Sequence, residues 1–183
     1  VAAGAAAAPA AAAPPVVAHR ALVRLEPGRH AIEVVDTLCV AGAPLDSARL
    51  RDGLAVAETA RLAPESAVFR YGGTLHESTE GVVFTRENVG REIEATVGEE
   101  GIYLSSEARW LPTVAGALVT TRLTVDTPLG WEPVTNGVCR AREEKDGRLI
   151  TVWEEANPVD GVALVAGRYT ARRETVAGAS GPI

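Results

Sequence analysis

Three shortages frame this sequence: it has no methionine, two cysteines and three histidines among 183 residues. Two cysteines cannot make the framework of a disulfide-stapled domain, and no Cys/His cluster has zinc-finger spacing. His19, His30 and His76 fall in separate segments, so a metal site made by this chain alone would consume nearly all of them. A chain without methionine is expected to be part of a longer polypeptide. Positive charge is also short, with 18 Lys plus Arg against 24 Asp plus Glu and a net charge of −6. That argues against non-specific binding of nucleic acid, which needs clustered positive charge. Residues 1–17 are apolar by count, but ten of the first thirteen are Ala, and Pro9, Pro14 and Pro15 punctuate them. Alanine contributes little transfer energy and proline breaks long helices, so no membrane span is expected there. The stretch also lacks the basic start of a signal peptide and reads as a linker or tail.

What is present is a β pattern. Apolar residues make up 46% and charged residues 23% of the chain, enough for one globular domain with a core. Ala21, Val23 and Leu25 alternate with Leu22, Arg24 and Glu26, which is the two-residue period of a strand. Residues 30–41 continue with Ile32, Val34, Val35, Leu38, Cys39 and Val40 after a Pro27-Gly28 turn signal. Further strands are expected at 54–60, 66–71, 81–85, 118–126, 132–135, 138–145, 148–155 and 162–173. Turn dipeptides divide them: Asp52-Gly53, Gly72-Gly73, Asn136-Gly137, Asp146-Gly147 and Asp160-Gly161. Only 47–51 and 87–95 suit a helical turn. The fold class is therefore all-β, an antiparallel or mixed β-sandwich or a saddle-shaped sheet with long loops.

One hairpin is legible in detail. A two-residue Asp146-Gly147 loop of type I′ pairs Lys145 with Arg148, Glu143 with Ile150 and Arg142 with Thr151. Continued without a break, the ladder puts Arg140 over Trp153 as a cation–π pair. It also assigns Cys139, Ala141, Ile150 and Val152 to the core face. Cys39 and Cys139 read as buried free thiols, with a disulfide between them left open.

Catalytic motifs are missing: there is no H-E-x-x-H, G-x-S-x-G, P-loop or G-x-G-x-x-G. His76 beside Glu77 and Ser78 invites a triad reading, but the glycines around it mark a loop end in water. His30 and His19 read as solvated residues near strand starts. Glu99-Glu100, Glu143-Glu144 and Glu154-Glu155 are adjacent pairs whose members point to opposite faces of a strand, so none makes an acid–base dyad. The distinctive residues are aromatic: Tyr103, Trp110 followed by Leu111-Pro112, Trp131 and Trp153. Packing under long loops is the plain reading of the tryptophans, and a contact surface for a partner domain is the other.

The order of these segments is similar to a known family. Gly101-Ile102-Tyr103-Leu104 followed by Trp110-Leu111-Pro112 resembles a G-x-Y-L, then W-Y-P pattern. Thr127-Pro128-Leu129-Gly130-Trp131 resembles its P-x-G-W, and Thr135-Asn136-Gly137 its S-x-G. Trp153-Glu154 with Pro158, and Leu164-Val165-Ala166-Gly167-Arg168-Tyr169, resemble its W-x-x-x-x-P and its A-G-x-Y ending. Phe69-Arg70-Tyr71-Gly72-Gly73 resembles its Y-x-G, and Leu22–Glu26 with Ile32–Val40 its opening hairpin. The family is the aminopeptidase N-type zinc metallopeptidases, and the part resembled, over roughly residues 19–173, is their N-terminal saddle-shaped β domain.

The resemblance implies that this chain caps a catalytic domain, shapes substrate access to it and is not itself an enzyme. It places zinc, the H-E-x-x-H helix and the G-x-M-E-N loop in that following domain of the parent protein, which makes the catalytic domain the expected partner and leaves this chain without a cofactor. Residues 1–17 are then a linker or tail, 18–173 the β domain, and 174–183 a linker towards the catalytic domain. The family's N-terminal domain lends a Gln or Glu to the substrate's amino-terminal pocket a few positions before an Ala-Arg pair. Here Ser105-Ser106-Glu107 precede Ala108-Arg109, so Ser106 and Glu107 are the substrate-pocket candidates, although neither is a Gln. Tyr103, Trp110, Pro112, Trp131 and Trp153 are the expected interdomain or core anchors. The alternative is a stand-alone β-sandwich module that binds protein or carbohydrate. An Ala/Pro spacer ahead of a β domain favours an exported, periplasmic or extracellular, protein over a cytoplasmic one. Limited proteolysis is expected to trim 1–17 first and leave 18–173 as one unit; early cleavage between residues 86 and 100 at native stability would contradict that.

Overall fold

The structure is a computed structural model and describes residues 13–78, 93–170, 177–178 and 181–182. Strand β1 (Val16–Glu26) occupies the middle of a seven-stranded sheet. On one side it pairs antiparallel with β2 (Ala31–Ala41), which continues into β4 (Ser66–Thr74) and the edge strand β3 (Ala55–Ala63). On the other side it pairs in parallel with β7 (Leu118–Pro128), followed by β10 (Arg148–Val159) and the edge strand β9 (Val138–Lys145). A second sheet of four antiparallel strands runs in the order β5 (Ala95–Gly98), β6 (Gly101–Leu104), β11 (Leu164–Gly167) and β8 (Glu132–Thr135). A two-residue ribbon, Ala177–Gly178 with Gly181–Pro182, closes the described chain. The architecture is all-β, as the alternation and turn spacing predict.

Alternation in β1 and β2 explains the layering. Val17, Ala21, Val23 and Leu25 of β1 and Ile32, Val34 and Leu38 of β2 are buried on one face, while Arg20, Leu22, Arg24 and Glu33 stand on the other. The small sheet supplies Val97, Ile102, Leu104 and Leu164 to the core with Ala21, Val23, Leu25, Ile32 and Val34, whereas Val17 and Leu38 pack in a second cluster with Val40, Leu45, Ala67 and Val114. The first strand begins two positions earlier than the sequence suggests, and Val17 is fully buried. Expected strand 81–85 lies outside the described residues, as does most of the helical turn at 87–95. Of expected strand 162–173, residues 171–173 lie outside the described residues, and the strand within 162–170 is Leu164–Gly167.

Gly72-Gly73 is not a turn; both glycines lie inside β4. A Cβ on Gly72 would meet the Ile32 carbonyl oxygen at 2.7 Å, and one on Gly73 would meet that of Gly53 at 2.6 Å. These glycines let neighbouring backbone approach the strand closely. Asp146-Gly147 does form the expected loop, with φ of 50° and 74°. The ladder follows the predicted register from Lys145–Arg148 to Ala141–Val152, and then slips. Trp153 therefore pairs with Cys139 rather than Arg140, whose Nε donates instead to Glu154 Oε2 at 2.9 Å. The faces are also reversed: Leu149 and Thr151 are buried, whereas all of β9, Cys139 included, is exposed. Cys39 is exposed too, and both thiols are free, because each sits on the solvent side of its strand.

Arg148 clamps one end of the large sheet. Its Nη1 donates to Glu26 Oε1 at 2.7 Å and its Nε to Asp126 Oδ1 at 2.6 Å, so one side chain of β10 holds the ends of β1 and β7. Burial raises the Glu26 carboxyl, but the Arg24 hydrogen bond and the charge and hydrogen bond of Arg148 outweigh it and hold Glu26 below the usual carboxylate range. A carboxyl depressed in the folded state stabilises the fold at neutral pH, and that contribution is lost as pH falls through its folded value. Arg148→Met is expected to cost about 2–4 kcal/mol at pH 7, since it leaves Glu26 and Asp126 side by side without their shared cation. Urea unfolding at pH 7 and pH 3 checks this: the gap between wild type and variant narrows in acid, and a gap independent of pH would contradict it.

Candidate functional site

Near the start of β1 and β7, the loop from Ser105 to Ala117 roofs a cavity of about 410 Å³. The roof is fixed locally. A single-turn 3-10 helix (Ser106–Ala108) is capped by Ser105, whose Oγ accepts from Ala108 N at 3.1 Å, and Arg109 then turns the chain at φ 48°. That turn sends Trp110 inward, where it is 1% exposed and donates through Nε1 to the Val162 carbonyl at 3.0 Å. Ser106, Glu107 and Trp110 thus line one cavity, joined by Asp160 and Gly161 from the segment before β11. Ser106 and Glu107 both lie at the exposed rim.

His19 stands in the wall of this cavity, and the sequence reading missed its role. Instead of being solvated it is 4% exposed, on the inward face of β1 between Val17 and Ala21. Its Nδ1 lies 2.7 Å from Asp36 Oδ2, and the Asp36 side chain is fully buried on β2. Since the carboxylate can only accept, Nδ1 carries the proton of this hydrogen bond. His19 Nε2, Asp36 Oδ1 and the hydroxyl of Thr121, register partner of His19 across the parallel pair, have no hydrogen-bond partner. Tyr71 adds a fourth polar group: its hydroxyl donates to the Trp110 carbonyl at 3.0 Å, and burial, then the Asp36 charge, pushes the phenol well above its usual range. The signal available in the sequence was the period of two, which places His19 and Asp36 at inward positions among Val, Ile and Leu.

The other residues singled out in the sequence are not gathered here. Pro112 is buried beside a second, mainly apolar cavity formed with Leu50, Phe69 and Tyr71. Trp131 is 3% exposed, with the Arg168 guanidinium 5.4 Å from its ring centroid. Trp153 is half-buried and donates to Thr151 Oγ1 at 3.0 Å. Tyr103 points outward from β6 at 42% exposure. His30 and His76 meet each other, with ring centroids 4.0 Å apart, and His30 Nδ1 donates to the Val97 carbonyl at 2.7 Å. Among the described residues no three His, Cys, Asp or Glu side chains converge to hold a metal ion. The described residues therefore do not fit a zinc site.

No protein-family model and no curated relative matches this sequence. Solved structures do share its fold. The M1 zinc metallopeptidase from Deinococcus radiodurans superposes with a TM-score of 0.56 at 18% identity, over 83% of this chain and 41% of that one. A mutant of it bound to a Tyr-Ser-Ala substrate matches with TM-score 0.56 at 16% identity, over 83% and 41% of the two chains. A two-domain M1 zinc metallopeptidase mutant bound to L-tryptophan matches with TM-score 0.54 at 18% identity, over 84% and 43%. The chain therefore has the fold of part of an M1 metallopeptidase and spans about two fifths of the length of these structures.

The His19–Asp36 pair offers a direct test of the buried polar core. His19→Leu leaves Asp36 buried without its one hydrogen-bond partner and is expected to cost about 3–5 kcal/mol. The double change His19→Leu with Asp36→Leu is expected to recover most of that loss. A cycle of urea unfolding measurements checks it, and strictly additive effects would contradict a coupled pair.

Proposed function

We propose that this chain is a non-catalytic β domain of an aminopeptidase-like zinc metallopeptidase, seated against that protein's catalytic domain and shaping access to its substrate site. The supporting observation is the likeness of architecture, which extends over 83% of this chain but only 41% of the metallopeptidase it resembles. On this reading zinc and the reaction chemistry belong to the rest of the parent polypeptide, and Ser106 and Glu107 at the cavity rim are the residues nearest to an incoming substrate.

The outer face of the small sheet is a suitable seat for such a partner. Tyr103, Val165 and Val134 are register partners across β6, β11 and β8, so they form one apolar row on that face. Tyr103 and Val134 are 42% and 46% exposed, and Tyr169, just beyond β11, is 55% exposed. Apolar rows of this kind mark contact surfaces on β domains. Burial of Trp110 and Trp131 supports this reading over a stand-alone carbohydrate-binding module, which would present its tryptophans as an open platform. No helix among the described residues is long and apolar enough to cross a membrane.

The purified chain is expected to bind no stoichiometric zinc and to hydrolyse no aminoacyl substrate. Tyr103→Asp is expected to change the stability of the isolated chain by no more than about 0.5 kcal/mol, because it alters an exposed site. The same change should lower peptidase activity in the parent polypeptide. Stoichiometric zinc by metal analysis, with chelator-sensitive peptidase activity in the 183-residue chain, would contradict the proposal.

A further inference from the structure

The opposite side of the molecule, the outer face of the seven-stranded sheet, carries a second pattern that the capping role does not use. Strand register orders it into rows perpendicular to the strands. Val35, Leu22, Thr124 and Val152 are successive partners across β2, β1, β7 and β10 and form an apolar row at the centre of the face. Leu22, in the middle of it, is 47% exposed. The next row, two residues along each strand, reads Thr37, Arg20, Arg122 and Glu154.

Arg20 and Arg122 are therefore direct neighbours on adjacent parallel strands, about 4.8 Å apart in backbone spacing. Like charges in that position repel. Acidic side chains outnumber basic ones in this chain, 24 to 18, yet Arg20 meets no carboxylate among the described residues. Glu154 pairs with Arg140 at 2.9 Å and with Arg122 at 3.6 Å through one oxygen and does not reach Arg20. Glu155, also in the groove, accepts from the Asn157 backbone N–H at 2.9 Å. The groove over Arg20 and Arg122 has a volume of about 540 Å³ and is floored by Thr37 and Thr120. A second groove of about 400 Å³ lies on the far side of Leu22, but there Arg24 is held by Glu26 at 2.9 Å and Arg70 by Glu58 at 3.1 Å. Of the arginines lining the two grooves, only Arg20 lacks a carboxylate partner among the described residues.

We propose that this face docks an extended acidic peptide segment of a partner protein, one carboxylate bridging Arg20 and Arg122 while an apolar side chain two residues away covers Leu22. The spacing supports an extended segment. Both rows are two residues apart along the strand, about 6.7 Å, and an extended peptide repeats its same-side side chains at that interval. Nucleic acid is disfavoured because the apolar row through Leu22 offers no partner to a sugar-phosphate backbone.

Fluorescence anisotropy of the 183-residue chain with a labelled peptide of repeated Leu-Thr-Asp tests this. Saturable binding is expected, weakening at least about tenfold in Arg20→Glu and in Leu22→Asp, and weakening with added salt. The control Arg168→Glu, just beyond β11 of the other sheet, is expected to leave it unchanged. Arg20→Gln replaces Arg20→Glu if the latter melts early. Absence of saturable binding up to about 1 mM, equal binding of a Leu-Thr-Lys peptide, or full binding by the Arg20 variants would overturn the proposal, as would a peptide-independent dimer that buries Leu22.

Discussion

The structure depends on one pairing, the parallel ladder between β1 and β7. Nine register pairs, from Val16–Leu118 to Arg24–Asp126, join residues about a hundred positions apart. Every other neighbouring pair in the large sheet is antiparallel. Without the parallel ladder the sheet falls into two pieces, one built by β1 to β4 and the other by β7, β9 and β10. Parallel strands cannot be joined by a tight turn, so the chain must leave the sheet and return over one of its faces. That excursion supplies β5, β6 and the Ser105–Ala117 loop, which become half of the second layer and the roof of the cavity.

The polar interior follows from the same geometry. His19 and Thr121 are register partners across this ladder, and Asp36 reaches His19 from the next strand. A parallel pair in the middle of a covered sheet has no water on its inner side, so polar side chains there must satisfy one another. The His19–Asp36 hydrogen bond does so in part, leaving His19 Nε2, Asp36 Oδ1 and the Thr121 hydroxyl without partners. Buried networks of this kind make a site sensitive to single substitutions. Arg148 plays the complementary part at the other end of the ladder, where it ties Glu26 and Asp126 together at the partly exposed rim.

Local features were legible in the sequence and non-local ones were not. Asp146-Gly147 fixes its hairpin because both positions need positive φ, so the register of its first five pairs could be counted out. The slip beyond Val152 could not, because a bulge has no fixed residue signature. Strand β5 escaped notice because its four residues are all buried and show no alternation. Gly72-Gly73 carries the composition of a turn, yet its glycines answer to backbone atoms of β2 and of the loop before β3, which no local pattern reveals. Ser106 and Glu107 were singled out through the resemblance around Ala108-Arg109 and Trp110 as an aromatic anchor, and all three line the cavity. His19 and Asp36 were missed although the alternation of their own strands places both inward, because their polarity was read as contact with water.

The two outer faces of the molecule differ: the small sheet exposes an apolar row, and the large sheet a mixed apolar and cationic one. Both depend on β1 and β7 holding the two halves of the large sheet in register. Native-state hydrogen exchange measures that dependence most directly. The backbone amides of β1 and β7 that form the parallel ladder should be the slowest in the chain and should exchange only through global unfolding. Faster exchange there than in the β9–β10 hairpin would show that the halves fold separately and would contradict the central place given to this ladder.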